Sequence, residues 1–180
     1  MEHIINSQSI TAYLPCAKAA HVADGEGRPM EKKPTNQSQL PGVIHRKTGD
    51  ALQIQRLGPY LLETLILPEE EIEATCYRVA IDRHQKTAVS YHRVAEEFYF
   101  VLSGRGVGVI GGVAIPLEKG DFLRLPPGTP HQFITEEDVL EMLNIHCPGS
   151  RPNRDVYFLG ETPEGFSSAG EIHNEPPSGL

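Results

Sequence analysis

Between residues 52 and 159 the chain is a succession of short segments rich in β-branched and aromatic residues, each cut off by glycine, proline or a charged cluster. The segments are 52–57, 63–67, 72–81, 87–92, 97–102, 107–110, 113–117, 122–125, 132–135, 139–145 and 155–159. Gly58-Pro59, Pro68 with three glutamates after it, Gly111-Gly112, Lys119-Gly120-Asp121 and Pro126-Pro127-Gly128 stand between them. Many short strands with turn signals at this spacing predict an all-β sandwich or barrel. A helix needs a 3.6-residue pattern held over about ten positions. No stretch has one, and 59–67 is at best a short helix.

The strand-rich part lies between two segments of different texture. Residues 1–40 are small and polar, with Gly25, Gly27, Pro29, Pro34 and the run Thr35-Asn36-Gln37-Ser38-Gln39, and read as a flexible arm. Residues 161–180 return to Gly, Ser, Pro and Glu and read as a flexible tail. The barrel domain is then 41–160, a single domain, which suits a chain of 180 residues.

Charge narrows the function. The net charge is -8, with no lysine or arginine cluster to offset it, which argues against nucleic acid or an anionic membrane as a partner. Cys16, Cys76 and Cys147 are odd in number and widely spaced, so neither a disulfide framework nor a thiolate zinc site is expected, and a reducing cytoplasm fits. The start Met1-Glu2-His3 has no basic region, and the mildly apolar stretch 10–23 is broken by Pro15 and Lys18, which makes a poor signal peptide. No apolar run approaches the ~20 residues of a membrane span.

The chemistry concentrates in residues 90–106, where His92, Glu96 and Glu97 immediately precede an aromatic and β-branched strand. A histidine and a carboxylate at the edge of an apolar strand cost free energy unless they are paired, hydrogen-bonded or bound to a metal. With Gly104 they give the spacing His-x4-Glu-x6-Gly. Farther on, Gly120 to His131 reads Gly-x5-Pro-x-Gly-x2-His. Taken singly, His92 and Glu97 also read as an ordinary ion pair, and His131 as a turn histidine after Pro130.

Together the two stretches resemble the two motifs of the cupin superfamily, small β-barrels of jelly-roll topology (a double-stranded β-helix), over roughly residues 73–135. The resemblance implies a single-domain barrel of that kind whose metal ligands are His92, Glu97 and His131. Two imidazoles and a carboxylate form the ligand set of a facial triad with open positions. A divalent ion is implied, iron(II) favoured, with manganese, nickel or zinc as other candidates. The chain departs from the pattern twice. The family's first histidine falls on Ser90, and the asparagine that often closes the second motif falls on Thr135. Some members of the family have lost their metal, so Ser90 leaves a metal-free binding cavity open as an alternative.

Alternation along strands adds candidates. If Glu97 points inward, so do Tyr99 and Val101, while Glu96, Phe98 and Phe100 face the other way. In 139–147, Glu141 marks a solvated face, leaving Met142, Asn144 and His146 for the interior. His146 then either supplies the missing ligand or an acid/base group, or is a hydrogen-bonded core histidine. Arg78 and Arg124 lie in strand-like segments, where a guanidinium meets an anionic substrate or simply faces solvent. His84 reads as a turn residue, and Gly104, Gly106, Gly120 and Gly128 as turn formers. The catalytic candidates are therefore Tyr99, His146 and Arg78. The expected function is a metal-dependent enzyme acting on a small molecule, either dioxygenase-like or an isomerase or lyase working by Lewis-acid polarisation. The alternative is a non-catalytic binding or sensor protein of the same fold. A homodimer is expected from the N-terminal arm and from the family's tendency to pair.

Overall fold

A computed structural model of the chain describes residues 42–47, 49 and 53–167. The predicted arm, 1–40, and positions 168–180 of the predicted tail lie outside the described residues. Eleven strands follow one another among the described residues: β1 (Ile54–Leu57), β2 (Tyr60–Thr64), β3 (Thr75–Ile81), β4 (Ser90–Tyr91), β5 (Glu96–Ser103), β6 (Arg105–Ile110), β7 (Val113–Glu118), β8 (Phe122–Leu125), β9 (His131–Ile134), β10 (Leu140–Cys147) and β11 (Tyr157–Phe158). Their order is β1-β2-β3-β10-β5-β8 in one sheet and β11-β4-β9-β6-β7 in the other, with antiparallel pairing throughout. This is the all-β class that the punctuation of the sequence predicts, and its two antiparallel sheets are consistent with the jelly roll that the resemblance implies.

Three local expectations need correction. The segment 59–67 is not a short helix, because Tyr60–Thr64 pairs residue for residue with β3; the helical turn that does form is a 3-10 turn at Pro68–Glu70. The strand foreseen from 72 begins at Thr75, after a loop that leaves Ile72 91% exposed. Gly106 is not a turn former. It sits inside β6, where a Cβ would meet the Ile134 carbonyl oxygen at 2.8 Å. Gly104 does turn the chain, at φ +79, and a Cβ there would stand 1.8 Å from the Val139 carbonyl oxygen. Any side chain at either glycine would push the hairpin off its neighbour.

The alternation is strict where both faces are covered. Along β3, Thr75, Tyr77, Val79 and Ile81 are buried, with half-buried residues between them, and β10 buries Leu140, Met142, Asn144 and His146 in the same way. Between the sheets, Ile81, Val101, Phe133, Leu140 and Met142 are fully excluded from solvent. Each contributes about 1.5–3 kcal/mol by leaving water. Residues 161–167 pass over the barrel, and Phe166 packs edge-on against Tyr60 (6.1 Å between ring centres) and Phe158 (5.1 Å).

Candidate metal centre

Two cross-strand pairs, one from each sheet, build the site. On β5 and β10, Glu97 lies directly opposite His146. On β4 and β9, Ser90 lies opposite His131. Side chains directly opposite each other on one face of an antiparallel pair stand within reach of one another, so each pairing delivers two polar groups to the interior together. His92 enters from the loop that follows β4. All five side chains are buried.

Their polar atoms converge on the Glu97 carboxylate. Its Oε2 lies 3.1 Å from His131 Nε2 and 3.6 Å from His92 Nε2, and its Oε1 lies 3.0 Å from His146 Nε2. Candidate ligand atoms of His92, Glu97 and His146 all lie within 4.8 Å of one another. Asn144 Nδ2 donates to Oε1 at 2.9 Å, whereas Oε2 accepts no hydrogen bond although it is fully buried.

The outer ring nitrogens fix how each imidazole faces the carboxylate. His92 Nδ1 donates to the Asp155 carbonyl, with Ser150 Oγ also 3.2 Å away. His131 Nδ1 donates to the Thr129 carbonyl at 3.0 Å. His146 Nδ1 meets Thr75 Oγ1 at 3.4 Å; that hydroxyl spends its own proton on the Ser150 carbonyl, so the imidazole is the donor. With Nδ1 donating outward in each ring, every Nε2 faces the centre, where it offers a lone pair whenever its ring is neutral; that of His131 also meets Ser90 Oγ at 3.2 Å. Lone pairs on nitrogen and carboxylate oxygen at about 3 Å repel unless a cation or a proton lies among them. Nitrogens oriented from behind by carbonyls and hydroxyls, around a buried oxygen with no donor, suit a divalent metal ion.

The electrostatics agree with a carboxylate that stays ionised. Burial works to raise the Glu97 pKa, but His131, His92 and His146 together hold it well below the usual carboxylate range. For His92, burial lowers the pKa, and the opposing pull of Glu97 and the Asp155 carbonyl leaves it raised. For His131, burial prevails, and the two neighbouring imidazoles add to it, so its pKa is lowered. Tyr99 is pushed well up, first by burial and then by the Glu97 charge, and its hydroxyl remains a neutral donor beside the cluster.

Of the residues singled out in the sequence, His92, Glu97, His131, Tyr99 and His146 line one cavity. Arg78 does not. It projects from the opposite face of β3, where it pairs with Glu63 at 3.1 Å and with Glu141, and contrary to expectation it does not reach the cavity. Parity explains the miss: Tyr77 and Val79 face in, and Arg78 must face out. Glu96 and Arg124 likewise pair with each other on the outside. His84 occupies a turn at φ +55. Thr135 Oγ1 takes the Gln85 N–H at 3.0 Å and donates to the Asp82 carbonyl, tying down the loop before β4.

Sequence reading missed Ser150 and Asp155, whose roles depend on the path of the chain after β10. Asp155, at φ +57, uses its backbone carbonyl to orient His92. Its carboxylate collects the N–H groups of Arg93 (2.9 Å), Val94 (3.2 Å) and Ala95 (2.8 Å). One residue thereby fixes the loop that joins His92 to Glu97. A Pro-rich, charged stretch around Asp155 gives no sign of this in one dimension.

The class these features define is an antiparallel β-barrel with a buried histidine and carboxylate cluster inside it. Residues 77–146 of the chain match the cupin domain. It shares 38% identity over 48 residues with an uncharacterized protein of Methanocaldococcus jannaschii, a match spanning 27% of this chain and 38% of that relative's length. Among solved structures, the polyketide cyclase RemF from Streptomyces resistomycificus is similar with a TM-score of 0.55 at 19% identity, covering 67% of this chain and 89% of that one. The nucleoside dehydratase Pac13 of Streptomyces gives 0.50 at 21% identity, covering 59% and 82%. KdgF from Halomonas sp. gives 0.50 at 17% identity, covering 57% and 91%. At these identities the likeness speaks for the fold.

Proposed function

We propose that the chain is a metal-dependent enzyme acting on a small molecule held in the barrel, with His92, Glu97, His131 and His146 as the ligands of one divalent ion. The observation that carries this reading is the Glu97 Oε2 atom, which is buried and without a hydrogen bond while two imidazole nitrogens face it. Three imidazoles and a carboxylate suit iron(II), manganese, nickel or zinc, and iron(II) is the ion we favour. When bound, such an ion polarises a substrate oxygen or, if redox-active, supports dioxygen chemistry. The protein's own part is to keep Glu97 ionised, to offer the neutral Tyr99 hydroxyl as a hydrogen-bond donor and to exclude water from the apolar wall around the cluster.

Inside such a cavity, Ser90 Oγ meets His131 Nε2 at 3.2 Å, a small hydroxyl where the family pattern has an imidazole. His146, directly across from Glu97, supplies the third imidazole instead. This relation favours the enzyme reading over a metal-free binding protein, the second reading for this fold, because the chain keeps four donor groups pointing inward despite Ser90. Elemental analysis of protein purified without a metal-affinity tag tests it. About one ion per chain, reduced in both Glu97→Gln and His131→Ala, is the expected result; no ion in any preparation favours the binding-protein reading.

The proposal includes a homodimer. Phe122, 61% exposed, stacks on Phe98, and Phe100, 43% exposed, continues an apolar strip on the outer face of β5 and β8. Light scattering at micromolar concentration should give twice the chain mass, and a monomer there would remove this part. No helix among the described residues is long and apolar enough to cross a membrane; a cytoplasmic location belongs to the proposal.

A further inference from the structure

The metal-type cluster and the remainder of the cavity come from different parts of the chain. His92, Glu97, His131 and His146 all lie within residues 77–146, the portion that matches the family. The wall beside them is built largely from outside that portion: Tyr60 and Leu62 on β2, Val156, Phe158 on β11, and Phe166. Tyr60 and Phe158 are buried, and Phe166 closes on both of their rings edge-on. The segment that carries Phe166 is held deliberately. Gly165 has φ +86, and a Cβ there would stand 2.4 Å from Leu57 Cδ2, so only glycine lets the turn pack on β1. Phe166 N–H bonds the Pro163 carbonyl at 3.2 Å, and Ser167 N–H bonds the Pro152 carbonyl at 3.1 Å.

The charge in this cavity is equally restricted. Among the described residues that line it, Glu97 is the one carboxylate and Arg151 the one guanidinium. Arg151 is already engaged, with Nε donating to Glu71 at 2.7 Å and a terminal nitrogen to the Ile66 carbonyl at 3.3 Å. A phosphate or a second carboxylate on a ligand would therefore enter this space without a cation of its own, at a large desolvation cost. Polar partners gather at the cluster instead, where Ser90, Tyr99 and Asn144 adjoin the carboxylate.

We propose that the molecule taken up is a small aromatic or similarly ring-shaped apolar compound with paired oxygen donors at one end and no second charged group. Its oxygens lie at the His92, Glu97, His131 and His146 cluster and its ring lies against Tyr60, Phe158 and Phe166. The proposal rests on the metal-site reading above, deepens it to a substrate class, and assigns selectivity to the segments that flank the family portion.

Two hydroxamates test this, since benzohydroxamate and acetohydroxamate carry the same chelating head and differ only in the ring. Metal content of the full-length protein is measured first, and each probe is then titrated into the metal-loaded sample by calorimetry. Burial of the ring should make benzohydroxamate bind at least about tenfold more tightly than acetohydroxamate. Phe166→Ala should shrink that ratio several-fold while metal content stays at the wild-type value; Phe166→Leu, which retains most of the packing, should shrink it less. Equal affinities for the two probes, or no binding of either to metal-loaded protein, overturn the substrate class and leave the metal site standing. A sample that takes up no metal overturns both, and the metal measurement makes that failure visible by itself.

Discussion

The inner faces of four strands change character along their length, and the two halves they create obey different rules. β10 runs from Leu140 and Met142 to Asn144 and His146, and β5 from Val101 through Tyr99 to Glu97. β9 passes from Phe133 to His131, and β3 from Ile81 and Val79 to Tyr77 and Thr75. The apolar half is held by close packing, and its value lies in stability. In the polar half, hydrogen bonds are spent on aiming imidazoles, and one carboxylate oxygen is left without a donor. A protein selected for stability alone would have no use for that second half, because buried charge seldom outperforms apolar packing.

Breaking the apolar half should have the largest effect. Phe133 is fully buried against Tyr99 and the core, and Phe133→Ala should lower unfolding free energy by about 3–5 kcal/mol in a denaturant titration. The polar half should answer in the opposite way. Glu97→Gln keeps an oxygen for Asn144 and adds an amide donor for the His131 lone pair, so metal-free protein should change by about 1 kcal/mol or less in the same titration. That variant should lose the thermal stabilisation that added metal gives the wild type.

Asp155 allows a sharper cut between holding the site and holding the fold. Asp155→Gly accepts the positive φ but removes the carboxylate from the N–H groups of residues 93–95, and metal affinity should fall about 10–100-fold. Asp155→Asn keeps one oxygen acceptor and tolerates the same backbone region, so its loss should be smaller. Equal metal affinity in wild type and the glycine variant would separate Asp155 from the site. The smallest effect on the site is expected from the outer face of β3: Arg78→Gln disturbs a partly buried pair with Glu63 and Glu141, and should leave metal binding unaltered while costing about 1–3 kcal/mol of stability.

Much of this was legible in one dimension because alternation is a local property. The inward direction of Tyr99 follows from Glu97, and that of His146 from Glu141, without knowledge of any partner strand. That His92, Glu97 and His131 share one site was legible for another reason, the resemblance of the two motifs to those of a known family, since spacing alone does not bring residues 92 and 131 together. Other features depended on contacts distant in sequence. Arg78 could be turned outward only by knowing that Tyr77 faces the cavity. Asp155 and Ser150 reach His92 from about 60 positions away, over a turn no periodic pattern announces. Phe166 lies in a segment whose composition suggests a loose tail, yet one glycine turn seats its ring on the barrel.

The central claim is that His146 takes the place left by Ser90 and completes the site with His92, Glu97 and His131. Calorimetric titration of metal-free wild type and His146→Ala with iron(II) under anaerobic conditions tests it most directly. The account predicts one ion per chain in the wild type, and in the variant an affinity lower by at least about the 10–100-fold attached to an outer-shell partner, with the fold intact by circular dichroism. Unchanged iron affinity in His146→Ala, or no uptake by the wild type, would contradict it.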